Sequence, residues 1–277
     1  MSKIEKALNR ALAERGTVAT LPVSGKLTGS ASVSLVASKA RSPETIGRMA
    51  DRERRLLGPE VLDQQRIIHQ KNIGDHPAQL FRQLRAKILD KSKSQNGVVL
   101  VTGLRKESGS TFVALNLAAA FAYDAERTAL VVDCDLKNPA LHRLIPESPT
   151  KGLTDFLEHP STDIGEIIHP VGIPRVRVIP SGSGADSEVD HFASLRMGGL
   201  LDSLRHRYAE RFTILDGPPL SNVADTRSLS ELADCVLVVA RYAHSTVAQI
   251  EKGLGAISSS KLLGIVFNDE PRLPWAS

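Results

Sequence analysis

The segment from Val98 to Leu117, VVLVTGLRKESGSTFVALNL, places the strongest constraint on the fold. Residues 98–101 form a short apolar run that Gly103 ends, which is typical of a buried parallel strand. From Thr111 the apolar residues recur at helical spacing, which predicts a helix over 111–122. A strand, a tight glycine-containing loop and a helix form the context in which helix-start N–H groups bind phosphate.

The loop departs from the phosphate-binding pattern at one decisive position. A Walker A loop ends in Gly-Lys-Ser/Thr, whereas Gly109 is followed here by Ser110 and Thr111. The missing lysine is the cation that meets the β- and γ-phosphates. The sequence therefore predicts a phosphate loop that has lost its main positive charge.

The composition limits the classes of protein to which the chain can belong. Its 277 residues, 42% of them apolar, suffice for one large α/β domain with an appendage. An aromatic content of 4% argues against a base-stacking platform for single-stranded nucleic acid. The apolar runs are shorter than a membrane span and no signal-peptide pattern opens the sequence, so we expect a cytoplasmic location. Cys134 and Cys235 lie in apolar runs as buried thiols, and the histidines show no metal-ligand spacing.

The sequence divides into three parts. Residues 1–16 form a predicted amphipathic helix that a Ser2–Glu5 capping box begins and Gly16 ends. Residues 17–75 read as a linker followed by a helical segment, for which the charged run 51–55 predicts exposure, and residues 76–277 as the α/β domain. Residues 1–74 hold 13 Lys/Arg and 7 Asp/Glu, a net charge of +6. This basic part fits either an acidic partner or anionic membrane surface, or simply solvated charge.

Strands and helices alternate along the predicted domain. This order predicts a three-layer fold, in which helices flank a mostly parallel sheet. A further helix is predicted from His76 to Leu89. The predicted strands are 97–102, 128–133, 176–180, 212–216, 235–241 and 262–267, and the later helices are 191–209, 225–233 and 245–257.

Polar residues follow several of these strands at the edge where parallel sheets bind ligands. Asp133 and Asp135 end the second strand, Asp216 ends a later one, and Asn268 ends the last. A single aspartate in such a place often only caps the next turn. Three aspartates beside a glycine loop instead favour a nucleotide site, in which they and Thr111 supply the oxygen ligands that Mg²⁺ prefers.

Two arginines mark the outer face of the helix that begins the domain. Arg82 and Arg85 lie three residues apart and project side by side, with Gln79 one step before them. Such a pair can clamp the carboxylates of a neighbour, or it can be an ordinary solvated helix face.

These motifs resemble the bacterial tyrosine kinases of capsule and exopolysaccharide export, which are related to the septum-site and partition ATPases. The resemblance covers about residues 76–268. Asp133-Cys-Asp135-Leu-Lys137-Asn-Pro139 is similar to the family's second Walker motif, and Asp216-Gly-Pro-Pro219 to its Walker B motif. Gly152-Leu-Thr-Asp155-Phe-Leu157 is similar to the Gly-Leu-Ser-Asp-x-Leu motif.

The resemblance implies a role for each site residue. Asp133, Asp135 and Asp216 become the catalytic carboxylates, and Mg²⁺ binds at Thr111, Asp133 and Asp216. Gln79, Arg82 and Arg85 match the motif through which the family oligomerises. The residues implied to bind ATP are Gly103, Arg105, Lys106, Gly109, Ser110, Thr111 and Asn268.

The departures from the family bear directly on activity. The loop has Lys106, Glu107 and Ser110 where the family has Pro, Gly and Lys, and Gln79 replaces the motif glutamate. The family's tyrosine-rich tail has no counterpart among the scattered Tyr123, Tyr208 and Tyr242. Binding of both ATP and Mg²⁺ is therefore expected to be weakened or lost.

These departures favour a regulatory protein of polysaccharide synthesis and export with weak or absent phosphoryl transfer. Its expected partner is a membrane co-polymerase that sets chain length, or a true tyrosine kinase, and a homo-oligomer is a further option. Such a partner would bring the protein to the inner face of the membrane. An active autokinase and a partition-type ATPase that binds nucleic acid are the alternatives. No groove-reading motif accompanies the basic charge, so nucleic acid is not an expected partner.

Overall fold

A computed structural model describes residues 58–69, 71–92, 96–145, 151–184 and 191–269. The predicted N-terminal helix and most of the predicted linker lie outside these residues. The bounds of the helices and strands follow in chain order. They are α1 Pro59–Gln64, α2 His76–Ser92, β1 Val98–Gly103, α3 Ser110–Ala122, β2 Thr128–Asp133, a 3₁₀ turn Leu141–Leu144, α4 Leu153–Glu158, α5 Ile164–Ile167, β3 His169–Pro170, β4 Val176–Ile179, α6 Leu195–Arg207, β5 Arg211–Gly217, α7 Val223–Leu232, β6 Cys235–Arg241, α8 Val247–Leu254 and β7 Leu262–Asn268.

The strands form one seven-stranded sheet in the order β3-β4-β2-β5-β1-β6-β7. All neighbours pair in parallel except β3 and β4, which are antiparallel. The central strands β1, β2 and β5 are buried along their whole length, because helices cover both faces of the sheet. The predicted three-layer α/β fold is confirmed.

Side chains alternate between two cores, one on each face of the sheet. In β1, Val99 and Val101 join the core under α2 and α3, while Val98 and Leu100 join the core under α6, α7 and α8. This alternation follows from the two-residue period of a strand. Cys134 and Cys235 are both buried and free, as predicted.

The predicted helix over 191–209 is shorter in the structure. It begins at Leu195 because the Ser194 side chain accepts a hydrogen bond from the Met197 N–H and caps it. The predicted helix over 245–257 likewise begins at Val247, behind a Thr246–Gln249 capping box, and ends at Leu254. Ser194 and Thr246 both lie inside the predicted helices, so the predicted and observed helices differ only at their ends.

The segment just before the predicted domain differs from the expectation of an exposed helix. Leu62, Ile67 and Ile68 are buried against α3. The Ile68 N–H donates to the Asn116 Oδ1 at 2.8 Å, and Asn116 is itself fully buried. The charged run 51–55, which suggested exposure, lies outside the described residues. Residues 61–69 therefore pack as part of the domain.

Among the described residues, the helices are all too short or too polar to cross a bilayer.

Candidate functional site

The candidate site lies at the carboxyl ends of three neighbouring strands. Asp133 of β2 pairs in register with Asp216 of β5, and Val101 of β1 pairs with the same Asp216. The loop that follows β1 therefore meets both aspartates at one edge of the sheet. The strand order creates this meeting from residues that are far apart in the sequence.

The loop from Leu104 to Gly109 keeps a tightly turned backbone. The Ser108 hydroxyl donates to the Arg105 carbonyl at 2.7 Å and accepts from the Arg105 N–H at 3.2 Å. Gly109 has a φ of 88°, in the left-handed region, and α3 begins at the next residue. Outside the loop, the Leu220 N–H holds the Gly103 carbonyl at 2.9 Å. The loop thus places the first residues of α3 beside the aspartates, although it contains no lysine at position 110.

Glu107 occupies a backbone conformation that favours glycine. Its φ is 64°, and it stands at the position where the resembling family has glycine. A side chain in the left-handed region costs free energy because the Cβ crowds the backbone. The loop has therefore kept the backbone shape while the residue suited to that shape has changed.

Replacing Glu107 with glycine is expected to raise the free energy of unfolding by about 0.5–1 kcal/mol, since the strain is relieved. Denaturant titration followed by circular dichroism measures this. The control is Lys106→Gly, at an exposed neighbour that does not share the positive φ. That control should lower stability, because glycine adds freedom to the unfolded chain. Equal effects of the two substitutions would contradict the strain at Glu107.

Asp133 is partly a structural cap. Its Oδ2 accepts the N–H groups of Ala140 and Leu141, both at 2.9 Å, and so fixes the turn that follows β2. Its Oδ1 is buried and has no hydrogen-bond partner among the described residues. Burial raises the pKa of Asp133 to about 6, the two backbone hydrogen bonds oppose this rise, and the charge of Asp135 adds to it.

Asp216 is fully buried, and ionising it costs more free energy than ionising Asp133. Neither of its carboxylate oxygens has a hydrogen-bond partner among the described residues. Burial, and then the charge of Asp133, raise the pKa of Asp216 well above its usual range. The Thr111 hydroxyl approaches this carboxylate and offsets part of the rise, but it does not reach the geometry of a full hydrogen bond.

These orphaned oxygens fit a divalent cation. Asp133 offers one free buried oxygen, Asp216 offers two, and the Thr111 hydroxyl lies beside them. Mg²⁺ binds through one or two carboxylates together with water and phosphate oxygens. The described residues hold no group of three or more His, Cys, Asp or Glu that could hold a metal ion. The carboxylates therefore suit Mg²⁺ that arrives with a phosphate ligand.

The cations of the loop lie outside this cluster. Arg105 and Lys106 are both exposed. The Arg105 Nη1 points to the His244 carbonyl, 3.5 Å away in the segment that follows β6. Asp135 is half-buried and accepts a long hydrogen bond of 3.4 Å from Asn138 Nδ2. Among the described loop residues, the Arg105 side chain is thus directed to the segment after β6.

Asn268 braces the loop. Its Nδ2 donates to the Ser108 carbonyl at 3.1 Å, and it lies against Gly109 so closely that a Cβ there would collide with it. The resemblance to the kinase family implied that Asn268 binds ATP. The contact with the loop has no local sequence signal, because 160 positions separate the two residues.

The three residues of the oligomerisation motif have different environments. Arg85 donates to the Ala120 carbonyl at 2.8 Å and lies 3.7 Å from Asp124, so it caps the end of α3 within its own chain. Arg82 is exposed. Gln79 is exposed and donates to the Gly74 carbonyl at 3.2 Å. The predicted side-by-side clamp is therefore divided, with Arg82 facing outwards and Arg85 tied down.

Asp155 is a residue whose structural role the sequence did not reveal. Its carboxylate accepts the N–H groups of Gly152 at 2.8 Å and Ser183 at 3.1 Å. Burial opposes ionisation, but the hydrogen bonds from Ser183 and Gly152 outweigh it and hold the pKa of Asp155 below its usual value. Asp155 thus joins the start of α4 to the loop after β4. The signal that was available is an acidic residue three positions after Gly152, at the N3 position from which a carboxylate can accept the N-cap N–H.

The chain is similar in sequence to the tyrosine-protein kinase Wzc of Salmonella typhimurium. The two are 28% identical over 221 residues, which are 79% of this chain and 30% of the kinase. The resemblance to the bacterial tyrosine kinases is confirmed. The chain spans less than a third of that relative's length. No family model matches the chain.

Solved structures show the same fold. The kinase domain of the Escherichia coli tyrosine kinase ETK superposes with a TM-score of 0.62 at 23% identity, over 77% of this chain and 88% of that domain. The cell-division ATPase MinD of Pyrococcus furiosus superposes with a TM-score of 0.50 at 21% identity, over 65% of this chain and 74% of its own. The fold is therefore that of the P-loop ATPases and the tyrosine kinases related to them.

Proposed function

We propose that this protein is a kinase-fold regulator of exopolysaccharide synthesis and export with weak or absent phosphoryl transfer. The observation that carries the proposal is the contrast within the site. The carboxylates Asp133 and Asp216 keep free oxygens for Mg²⁺, while Ser110 stands in place of the phosphate-binding lysine. The relatives' names supply the connection to bacterial tyrosine kinases.

The lost lysine lowers affinity for nucleotide. A charge-assisted hydrogen bond contributes roughly 1.5–3 kcal/mol, which corresponds to about a tenfold to hundredfold loss in binding. Phosphoryl transfer suffers more, because charge on the transferring group must be neutralised in the transition state. Glu107 adds negative charge to the exposed rim of the same loop. The missing lysine and the added glutamate both make binding of the γ-phosphate less favourable.

The remaining residues still define where Mg-ATP would bind. Asp216 and Thr111 would hold the cation, Asp133 would offer its free Oδ1 to it or to a bound water, and the N–H groups at the start of α3 would face the phosphates. Bound Mg-ATP supplies the phosphoryl group and part of the charge that neutralises it. A weakly bound nucleotide would then signal to a partner without efficient transfer.

The proposed partner is a membrane co-polymerase or a true tyrosine kinase. Arg82 is the exposed cation of the motif and can take a carboxylate from such a partner. The glutamate that would complete a matching contact between identical copies is replaced by Gln79. The protein would therefore act in the cytoplasm, at the inner face of the membrane when its partner is bound.

The competing function is an active autokinase in which Arg105 or Lys106 replaces the lysine. Both are exposed and belong to the loop, and the contact of Arg105 with His244 is long enough to break readily. ATP turnover and tyrosine phosphorylation of the full chain test this. We expect turnover near background, unchanged in Arg105→Ala and Lys106→Ala. Clear turnover that either substitution reduces more than tenfold would support the autokinase and contradict the proposal.

A further inference from the structure

Asn116 is a buried polar residue in the middle of α3, and it does not belong to the cluster of site aspartates. It has no solvent exposure, and residues 113–122 around it are all buried. Asparagine is favoured neither in the interior of a helix nor among buried apolar side chains. Both polar atoms of its side-chain amide nevertheless have hydrogen-bond partners, and these partners belong to two different parts of the chain.

The Asn116 amide joins an earlier segment of the chain to the first turn of α3. Its Oδ1 accepts the Ile68 N–H at 2.8 Å, and its Nδ2 donates to the Phe112 carbonyl at 3.0 Å. Phe112 directly follows Thr111, whose hydroxyl lies beside the site aspartates. A helix has about 3.6 residues per turn, so Asn116 lies less than two turns from Ser110. One side chain thus connects Ile68 with the turn that faces the candidate site.

The segment that Asn116 holds is residues 61–69, which we call the strap. Within the strap, the Ile67 N–H donates to the Leu62 carbonyl at 2.8 Å. At its end, the His69 N–H donates to the Asn72 Oδ1 at 2.7 Å, which joins the strap to the turn before α2. The strap is therefore a packed unit that lies against α3. Its buried residues are Leu62, Ile67, Ile68 and His69.

The contact between the strap and α3 depends on the position of the first turn of α3. Ile68 is buried, and a buried N–H that loses its acceptor is unfavourable, so the docked strap requires the Asn116 Oδ1. The Phe112 carbonyl in turn fixes the orientation of the Asn116 amide. The Phe112 ring also packs edge-on against Phe81 of α2, with 6.3 Å between the ring centroids. A shift of this turn would therefore disturb the docking of the strap.

We propose that Asn116 is a positioning residue that couples the docking of the strap to nucleotide binding at the start of α3. This inference rests on the proposed function, in which phosphates meet the N–H groups of that turn. Bound phosphate fixes the turn and the Phe112 carbonyl, which favours the docked strap. Because such coupling is reciprocal, loosening the strap weakens nucleotide binding by the factor by which bound nucleotide stabilises the strap.

Hydrogen exchange of the full chain, without and with saturating Mg-ATP, tests the coupling. The amides of residues 109–111 report whether phosphate reaches the loop, and the Ile68 amide reports the docking of the strap. We expect Mg-ATP to slow exchange at residues 109–111 and to slow exchange of the Ile68 amide at least about fivefold, the lower end of the usual coupling between two sites.

The two failures of this experiment are distinguishable. Slower exchange at residues 109–111 with unchanged exchange of the Ile68 amide would overturn the coupling and leave the proposed function intact. Unchanged exchange in both places would overturn the proposed nucleotide site, and the coupling with it.

A substitution of Asn116 tests the same coupling from the strap. Asn116→Leu keeps the size of the side chain and removes both hydrogen bonds. The control Leu117→Ala weakens the core at the next, equally buried residue and keeps both of these bonds. We expect the affinity for Mg-ATP, measured by calorimetry, to fall at least about fivefold in Asn116→Leu and less than about twofold in Leu117→Ala.

Equal losses of affinity in the two variants would show that Asn116 acts only through the general stability of α3, and would overturn the proposal. If Asn116→Leu does not fold, the exchange of the Ile68 amide in the wild-type chain decides between the outcomes.

Discussion

Substitution of Ser110 by lysine is expected to strengthen Mg-ATP binding by about tenfold to a hundredfold. Ser110 is the first residue of α3, it is half-buried, and it follows Gly109, which keeps the left-handed conformation. A lysine there would extend from the backbone position that the Walker A pattern requires. The gain comes from a charged hydrogen bond to phosphate oxygens. Calorimetric titration with Mg-ATP gives the dissociation constants.

The control for this substitution is Ser110→Met, which adds a side chain of similar length without the charge. We expect Mg-ATP to bind this variant as weakly as the wild type. Similar affinities of the Lys and Met variants would show that charge at position 110 is not what the site lacks. In that case the loop geometry, rather than the missing cation, would limit binding.

Substitution of Asp216 by asparagine is expected to stabilise the nucleotide-free protein by about 1–3 kcal/mol. Asp216 is buried, its oxygens lack hydrogen-bond partners among the described residues, and Asp133 lies close enough to raise its pKa further. Asparagine has nearly the same shape and carries no charge. The same substitution should abolish any Mg²⁺-dependent stabilisation by ATP, because the cation loses its main ligand.

The stabilisation should depend on pH. The folded-state pKa of Asp216 is raised, so this group favours the folded state at low pH and that contribution is lost as the pH rises. Asparagine does not titrate, and the stability difference between variant and wild type should therefore be larger at pH 8 than at pH 5. Denaturant unfolding in EDTA at both pH values measures it. The control Asp202→Asn, on the exposed side of α6, should change stability by less than about 0.5 kcal/mol.

If the Asp216→Asn variant is less stable than the wild type at pH 8, the carboxylate of Asp216 must have a stabilising partner, which contradicts this account. It would mean that the carboxylate is held by an interaction that asparagine cannot make. The site would then be a structural polar cluster rather than a cation site.

The parts of the fold that depend on local pattern were predictable from the sequence. The apolar runs around Val98, Thr128 and Cys235 identified strands, and their order gave a parallel sheet. Because carboxyl ends of parallel strands meet at one edge, the sequence also predicted that Asp133 and Asp216 lie beside the loop that follows β1.

The parts that depend on distant contacts were not predictable. The burial of Ile68 requires Asn116, 48 positions away, to accept its N–H. Arg85 caps the end of α3, 35 positions away, so its role differs from that of Arg82 on the same helix. Neither contact has a spacing or composition that marks it in the sequence. The charged run 51–55 suggested exposure for a segment whose neighbouring residues are buried.

The central claim is that the site binds nucleotide weakly and transfers little or no phosphate. Its most direct test is calorimetric titration of the full chain with Mg-ATP, followed by detection of phosphotyrosine. We expect a dissociation constant about tenfold to a hundredfold above that of the Ser110→Lys variant, and no phosphate on tyrosine. Micromolar affinity together with phosphate on Tyr123, Tyr208 or Tyr242 would contradict this and identify an active kinase.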